Sequence, residues 1–191
     1  MASIKWSILI PTLTARSHFF KPLYDQLRNE IKQGGFQDFV EIVPLLDNGE
    51  KTTGNKRNIL IELARGKYIS FFDDDDEPVN NYVSSVMSVI DNDSDVIPID
   101  GYMTTNGLNP TRWEMALNNQ YISVNDHEGK MIYLRYPNHL AVMKKNLIIP
   151  YKFQNITKGE DYEWATRLHN DKVFKTETRI TKHIYHYKYR G

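Results

Sequence analysis

The run Tyr68-Ile69-Ser70-Phe71-Phe72-Asp73-Asp74-Asp75-Asp76-Glu77-Pro78 sets a short apolar segment directly against an acidic block. Five mostly apolar residues in a row, ended by polar ones, predict a buried strand. Four consecutive carboxylates at its end need a cause. Two carboxylates about 5 Å apart repel by about 3 kcal/mol at an effective dielectric of about 20. Two readings relieve that cost. A hard divalent cation, Mg²⁺ or Mn²⁺, takes such oxygen ligands and keeps phosphate oxygens as partners. Alternatively a helix starts at Pro78, with Asp76 as its cap and the acids facing the helix dipole. The cap employs one or two aspartates and leaves Asp73 and Asp74 unexplained.

On the N-terminal side, strand and helix alternate. Ser7 to Ile10 is an apolar run stopped by Pro11. Thr14 or Ser17 can cap a helix whose apolar positions Phe19, Leu23, Leu27 and Ile31 recur every four residues and which ends at Gly34-Gly35. Val40 to Leu46 predicts a second strand ending at Asp47, followed by a polar loop over 48–55 and a second helix marked by Ile59, Leu60, Leu63 and Ala64. After the aspartates, Tyr82, Val83, Val86, Met87 and Ile90 form the face of a third helix, and Val96 to Ile99 a fourth strand. This order predicts an α/β chain built on a mainly parallel central sheet flanked by helices. Ligands of such sheets bind at the carboxyl ends of the strands. Here those ends carry Pro11-Thr12, Asp47 and the aspartate block.

Beyond Asp100 the pattern turns more antiparallel. Asn106-Gly107 is a turn signal. Tyr121 to Val124 and Met131 to Tyr136 flank another turn; Leu140 to Met143, Lys172 to Thr176 and Ile180 to Tyr187 are further strand candidates, and a helix opens near Glu160. With no repeat or linker, the 191 residues are expected to form one domain, 1–191, with halves at 1–100 and 101–191.

Composition narrows the function. Hydrophobic residues are 40% and charged residues 25%, globular proportions. Absence of cysteine excludes disulfides, thiolate metal sites and cysteine nucleophiles. Lys+Arg and Asp+Glu are both 24, without the basic excess of a nucleic-acid binder. The apolar start ends at Pro11, so neither an integral membrane segment nor a signal peptide is expected, and the reading is cytoplasmic. Asn155-Ile156-Thr157 is then a chance sequon. Asp91-Asn92-Asp93-Ser94-Asp95 imitates a calcium loop, but Val96 stands where Gly is required and Tyr102 where Glu is, so it is read as a turn.

Lys56-Arg57-Asn58 lies where a loop enters the second helix. Two cations at a helix N-terminus favour an anion such as a diphosphate, although a solvated first turn has the same composition. Taken together, Ser7-Ile8-Leu9-Ile10-Pro11-Thr12, Asp47, Lys56-Arg57-Asn58, the segment Ala64 to Asp76 and Gly159-Glu160-Asp161 resemble the glycosyltransferase family 2 group of GT-A fold enzymes over most of residues 4–169. The resemblance implies a single GT-A, Rossmann-like domain: a nucleotide-sugar half over 1–100 and an acceptor and catalytic-base half over 101–191. It implies that Asp75 binds Mn²⁺ or Mg²⁺, with Asp73 near the ribose or a metal-bound water and Asp74 in the same nucleotide site. Pro11 and Thr12 match the nucleotide-binding start, Asp47 the acid that accepts a ring N–H of the base, Arg57 a basic residue beside the nucleotide with Lys56 next to it, and Asp161 the catalytic base. The loop after Asp47, Asn48 to Thr53, departs from the Ser-rich version usual in the family, and many relatives continue into further helices or modules.

The implied chemistry is inverting transfer from a nucleotide diphosphate sugar, by resemblance a UDP-sugar, to a hydroxyl of a carbohydrate or glycoconjugate acceptor. Charge grows on the leaving diphosphate, where a metal and an arginine stabilise it, while a carboxylate takes the acceptor proton. His183 is a candidate to complete the metal site with Asp75; a hydrogen-bonded surface histidine is the alternative. His139 and Trp113 can face a sugar or pack, and Trp164 is read as a core anchor. Clustered aspartates also suit a metal-dependent phosphoesterase or nuclease, and a non-catalytic nucleotide- or glycan-binding module would keep Asp47 and the aspartates without needing Asp161.

Overall fold

The computed structural model describes residues 3–79 and 81–190. Its first sheet is built around β1 (Trp6–Leu13), which lies between β2 (Val40–Asp47) and β3 (Tyr68–Phe71), parallel to both. A strand flanked on both sides must be apolar throughout, and Trp6, Ile8, Leu9 and Ile10 are fully buried. Trp6 satisfies its indole N–H on Ser70 Oγ at 3.1 Å. The helices α1 (Ser17–Gln33), through Leu23, Leu27 and Ile31, and α2 (Thr53–Leu63), through Leu60 and Ile61, pack on β1.

The chain leaves β3 through the aspartate block and enters β4 (Glu77–Pro78), which belongs to a second sheet. Next come α3 (Tyr82–Met87), β5 (Val96–Ile97), the hairpin of β6 (Ile99–Thr105) and β7 (Leu108–Met115), then β8 (Ile122–Asn125) and β9 (Met131–Arg135). The β6–β7 hairpin closes on Asn106-Gly107 with positive φ at both residues, 50° and 78°, the conformation that a two-residue hairpin turn demands. β10 (Val142–Lys144) returns to the first sheet, antiparallel to β3 and β5, and leads into α4 (Lys145–Ile148); α5 (Glu160–Asn170) and β11 (Ile180–Tyr189) follow. The first sheet has the order β2-β1-β3-β10-β5, and the second β4-β11-β6-β7-β9-β8.

Aromatic side chains join the two sheets beneath the aspartates. Tyr185 of β11 packs on Phe72 at 4.5 Å between ring centroids, and Phe72 meets Tyr82 edge-on at 5.2 Å. All three rings are fully buried, and burying each contributes about 1.5–3 kcal/mol. The carboxyl end of β3 is therefore held at the seam between sheets.

The mixed, mainly parallel first sheet agrees with the sequence reading, but most of the C-terminal half forms a separate sheet, itself mixed, with β11–β6 and β7–β9 parallel. The helix-cap reading of Pro78 fails: Pro78 pairs with Tyr185 in β4, and the helix begins only at Tyr82. Lys172 to Thr176 is not a strand; there only Glu177 makes an isolated bridge, to Val96. β7 was not visible as a strand because it carries Pro110 and an exposed N-terminal half. Asp91 to Asp95 is a turn, with Asp93 in the left-handed region.

Candidate active site

A cleft of about 780 Å³ opens at the carboxyl ends of β1 and β3. One wall is the start of α2, another the start of α5, and the end of β11 closes it with Tyr187 to Arg190. Its floor is the aspartate block, in which each carboxylate has a different environment.

Asp73 is reached by Arg57 Nη2 at 3.1 Å and His139 Nε2 at 3.3 Å. Burial opposes its ionisation, yet the charges and hydrogen bonds of His139 and Arg57 outweigh that and hold its carboxyl well below the usual range. Asp74 is buried and braced: Thr12 Oγ1 donates to it at 2.5 Å, and Arg16 through Nε and Nη2 at 2.6–3.0 Å. Asp75 faces the cleft and pairs with Arg16 at 2.9 Å and Arg190 at 2.6 Å. Asp76 points away into the seam, where Tyr185 Oη and the Lys188 backbone N–H each donate at 2.7 Å. Burial, then the nearby Asp73 charge, push the Asp76 carboxyl well above its usual value. Alternating the four side chains between cleft and core relieves the repulsion that the sequence implies.

At the opposite wall, α2 begins with Thr52 as its cap, accepting from the Asn55 N–H at 3.1 Å. Gly54 lets this turn abut the segment after α4: a Cβ there would stand 1.9 Å from the Gln154 carbonyl oxygen. The turn carries Lys56 and Arg57, both buried yet both on the cleft lining. Lys56 is ion-paired with Asp47 and donates to the Thr12 carbonyl at 2.6 Å. Asp47 also accepts the N–H groups of Gly49 and Lys51, and it does not line the cleft. Its oxygens order the loop 48–51 and hold Lys56 at the edge of the cleft, where Gly49 and Lys51 line it. The low proton affinity of Asp47 agrees; burial opposes it, and Lys56 and the two backbone N–H groups override burial.

The third wall is the first turn of α5, entered through Gly159 at φ 81°. Glu160 turns inward to Arg57 Nη1 at 3.4 Å, and burial, partly offset by Arg57, raises its proton affinity. Asp161 turns outward, with its side chain 40% exposed and Oδ2 3.6 Å from His139 Nδ1. His139 thus lies between the acid at the end of β3 and the acid at the start of α5. Asp161, Asp73 and Tyr187 also line a second cavity of about 190 Å³, walled by aromatic residues of the second sheet.

Asp73 and Asp75 suit Mg²⁺ or Mn²⁺. Both are oxygen donors on the cleft surface, and such ions take one or two carboxylates and complete their shell with water and phosphate. Among the described residues no three His, Asp or Glu side chains converge into a ready cage. His183 is not brought to Asp75: it stands on β11 opposite Asp100 and lines neither cavity, whereas the cleft is bordered by the end of the chain from Tyr187 to Arg190.

Of the sequence candidates, Pro11, Thr12, Lys56, Arg57, Asp73, Asp74, Asp75 and Asp161 converge on the cleft, while Asp47 and His183 do not line it. Trp164 is fully buried and stacks on Phe153 at 4.4 Å between centroids, as a core anchor should. Arg16 and Arg190 were missed. Arg16 follows Pro11-Thr12 by one helical turn and was legible as a cation at a strand end; Arg190 arrives by long-range strand pairing, which leaves no local signal.

An α/β sheet with a basic and acidic cleft at its carboxyl ends is a frame for a phosphorylated ligand. The Glycosyl transferase family 2 model matches residues 37–151, more than half of the chain. The chain belongs to glycosyl transferase family 2, a family of glycosyl-transferring enzymes. No curated protein sequence matches it significantly. Solved structures share its fold at low identity. S. aureus TarS 1-349 in complex with UDP aligns with a TM-score of 0.64 and 16% identity, covering 97% of this chain and 60% of that one. The complex of TarS 1-349 with UDP-GlcNAc aligns at 0.65 and 15%, covering 98% and 59%. The structure titled S. aureus TarS aligns at 0.64 and 15% identity, with 97% and 37% covered. The chain thus spans about 60% of the length of the TarS 1-349 chains.

Proposed function

We propose that the chain is the donor-binding and catalytic core of an inverting glycosyltransferase that uses a nucleotide diphosphate sugar, with UDP as the carrier. The observation that carries this reading is the convergence, in one cleft, of cationic Arg57 at a helix N-terminus, cleft-facing Asp73 and Asp75, and a partly exposed Asp161. The UDP carrier is supported by the UDP and UDP-GlcNAc named with the TarS structures.

Asp75, with Asp73 beside it, would hold Mn²⁺ or Mg²⁺. Such an ion, when bound, neutralises charge on the diphosphate and so eases its departure. Arg57, on the facing wall, offers the same electrostatic help from the other side. Lys56, held by Asp47, keeps the strand end and the loop 48–51 together under the nucleotide. Thr12 and Arg16 lock Asp74 and thereby fix the backbone from which Asp73 and Asp75 project. Asp161 Oδ takes the proton of the acceptor hydroxyl, a contribution typically of about 10²–10⁴-fold. A single base acting opposite the leaving group inverts the anomeric centre. His139 holds Asp73 through Nε2 at 3.3 Å and places its Nδ1 edge 3.6 Å from Asp161. The acceptor is a carbohydrate or glycoconjugate hydroxyl.

A thermal-shift screen of UDP-, GDP-, CMP- and dTDP-sugars with Mn²⁺ tests the reading. The expected result is stabilisation by a UDP-sugar, about 2.7 kcal/mol at about 100 times its dissociation constant. Stabilisation by none of them would overturn the proposal.

A further inference from the structure

The smaller cavity carries information that the cleft does not. Its volume, about 190 Å³, is the room of a single sugar ring. Its lining includes Trp113, Tyr121, Tyr133 and Arg135, with Asp73, His139 and Asp161 also on it. Arg135 lies on the faces of Tyr121 and Tyr133, its guanidinium carbon 4.5 and 4.9 Å from their centroids. Only Nη1 is spent, on the carbonyl oxygens of Ile122 and Leu134 at 3.1 and 2.8 Å. Among the described residues no carboxylate pairs with Arg135, as with Arg28 on α1, whereas the cleft arginines Arg16, Arg57 and Arg190 each have one. Trp113 on the same wall is 6% exposed, and its Nε1 is buried and takes no part in the opening. Close packing fixes the indole there, since a Cβ on Gly101 would stand 2.4 Å from its ring.

A buried donor left unpaired is costly, and so is a half-buried cation without a counter-charge. The second cost vanishes if the ligand brings a negative charge to Arg135. We infer that this cavity binds an acidic sugar unit, a ring bearing a carboxylate, with Arg135 reading the carboxylate and the aromatic walls the ring. This rests on the glycosyl-transfer reading and deepens it by naming the class of sugar. Asp73 and Asp161 line the same cavity and repel an anion, so the acidic group must lie at the Arg135 side, leaving the reacting end of the ring for the acids. The unit can be the donor's own sugar or the acceptor's terminal one, and the chemistry is the same for both.

Isothermal titration in Mn²⁺ with UDP, UDP-glucose and UDP-glucuronic acid separates the possibilities, together with saturation-transfer NMR of a neutral and a uronate-terminated oligosaccharide in the presence of UDP. The expected result is a preference of about tenfold or more for the acidic member of one pair, the size of one charge-assisted contact. A preference among donors assigns the cavity to the donor sugar; among oligosaccharides, to the acceptor. Arg135→Gln should abolish the preference and leave UDP affinity unchanged, while Arg135→Lys keeps part of it. Equal binding of acidic and neutral members in both pairs would overturn the inference with UDP binding intact. So would an Arg135→Gln variant that keeps the preference. Absence of UDP binding would instead overturn the underlying reading, and the inference with it.

Discussion

Glu160 and Asp161 are neighbours in sequence with opposite surroundings. Both line the cleft, but Glu160 has a side chain 4% exposed and faces Arg57, whereas the Asp161 side chain is 40% exposed and also borders the smaller cavity. One step along a helix turns a side chain by about 100°, so the two cannot share a role. Asp161→Asn should leave UDP-sugar binding nearly unchanged and lower transfer by about 10²-fold or more. Glu160→Gln should instead lower the unfolding midpoint, because it removes a counter-charge from buried Arg57, and should retain most transfer. The reverse pattern in a paired assay would move the base to Glu160. The acidic pair itself was legible in the sequence; which member is the exposed one was not, because that depends on where Gly159 starts the helix. The same limit applies to Asp47, whose position at a strand end was legible, but not that it also holds Lys56 and accepts two backbone N–H groups.

Among the elements, the start of α2 bears most on the cleft, and its position rests on Gly54. The turn is close enough to the loop 154–156 for the Gly54 N–H to donate to the Ile156 carbonyl at 3.0 Å. Gly54→Ala forces these backbones apart and should cost about 1–3 kcal/mol by denaturant unfolding. It should also weaken UDP binding, since Arg57 moves with the turn; an unchanged unfolding midpoint would show that the contact yields freely. The alternation of β1, α1, β2, α2 and β3 was readable because each has its own period of apolar residues. β4 and α3 were not: a Pro after acidic residues suggests a helix start, but pairing of Glu77 and Pro78 with β11 overrides that preference. Propensity is local, and strand pairing with a segment more than a hundred residues away is not.

At the scale of the whole molecule, two sheets of different character meet at the aspartate block. The first supplies strand ends and the second supplies β11, whose last residues bring Arg190 to Asp75. The fold class was legible because β1, β2 and β3 of the first sheet come from local β–α alternation, while the second joins the local pairs β6–β7 and β8–β9 to β4 and β11 by distant pairings. The same assembly sets a condition on metal binding. Arg16 and Arg190 hold Asp75 in ion pairs, so a divalent cation has to compete with two guanidinium groups for it. A diphosphate relieves that competition by giving the arginines a new partner, so metal and nucleotide should bind together. Isothermal titration with UDP, in Mn²⁺ and again in excess chelator, on the wild type and on Asp75→Ala, tests this directly. The account predicts that UDP binds in Mn²⁺ and loses about tenfold or more of its affinity in chelator, and that Asp75→Ala is insensitive to the metal. Equal UDP affinity for the wild type with and without Mn²⁺, or no binding in either, would contradict it.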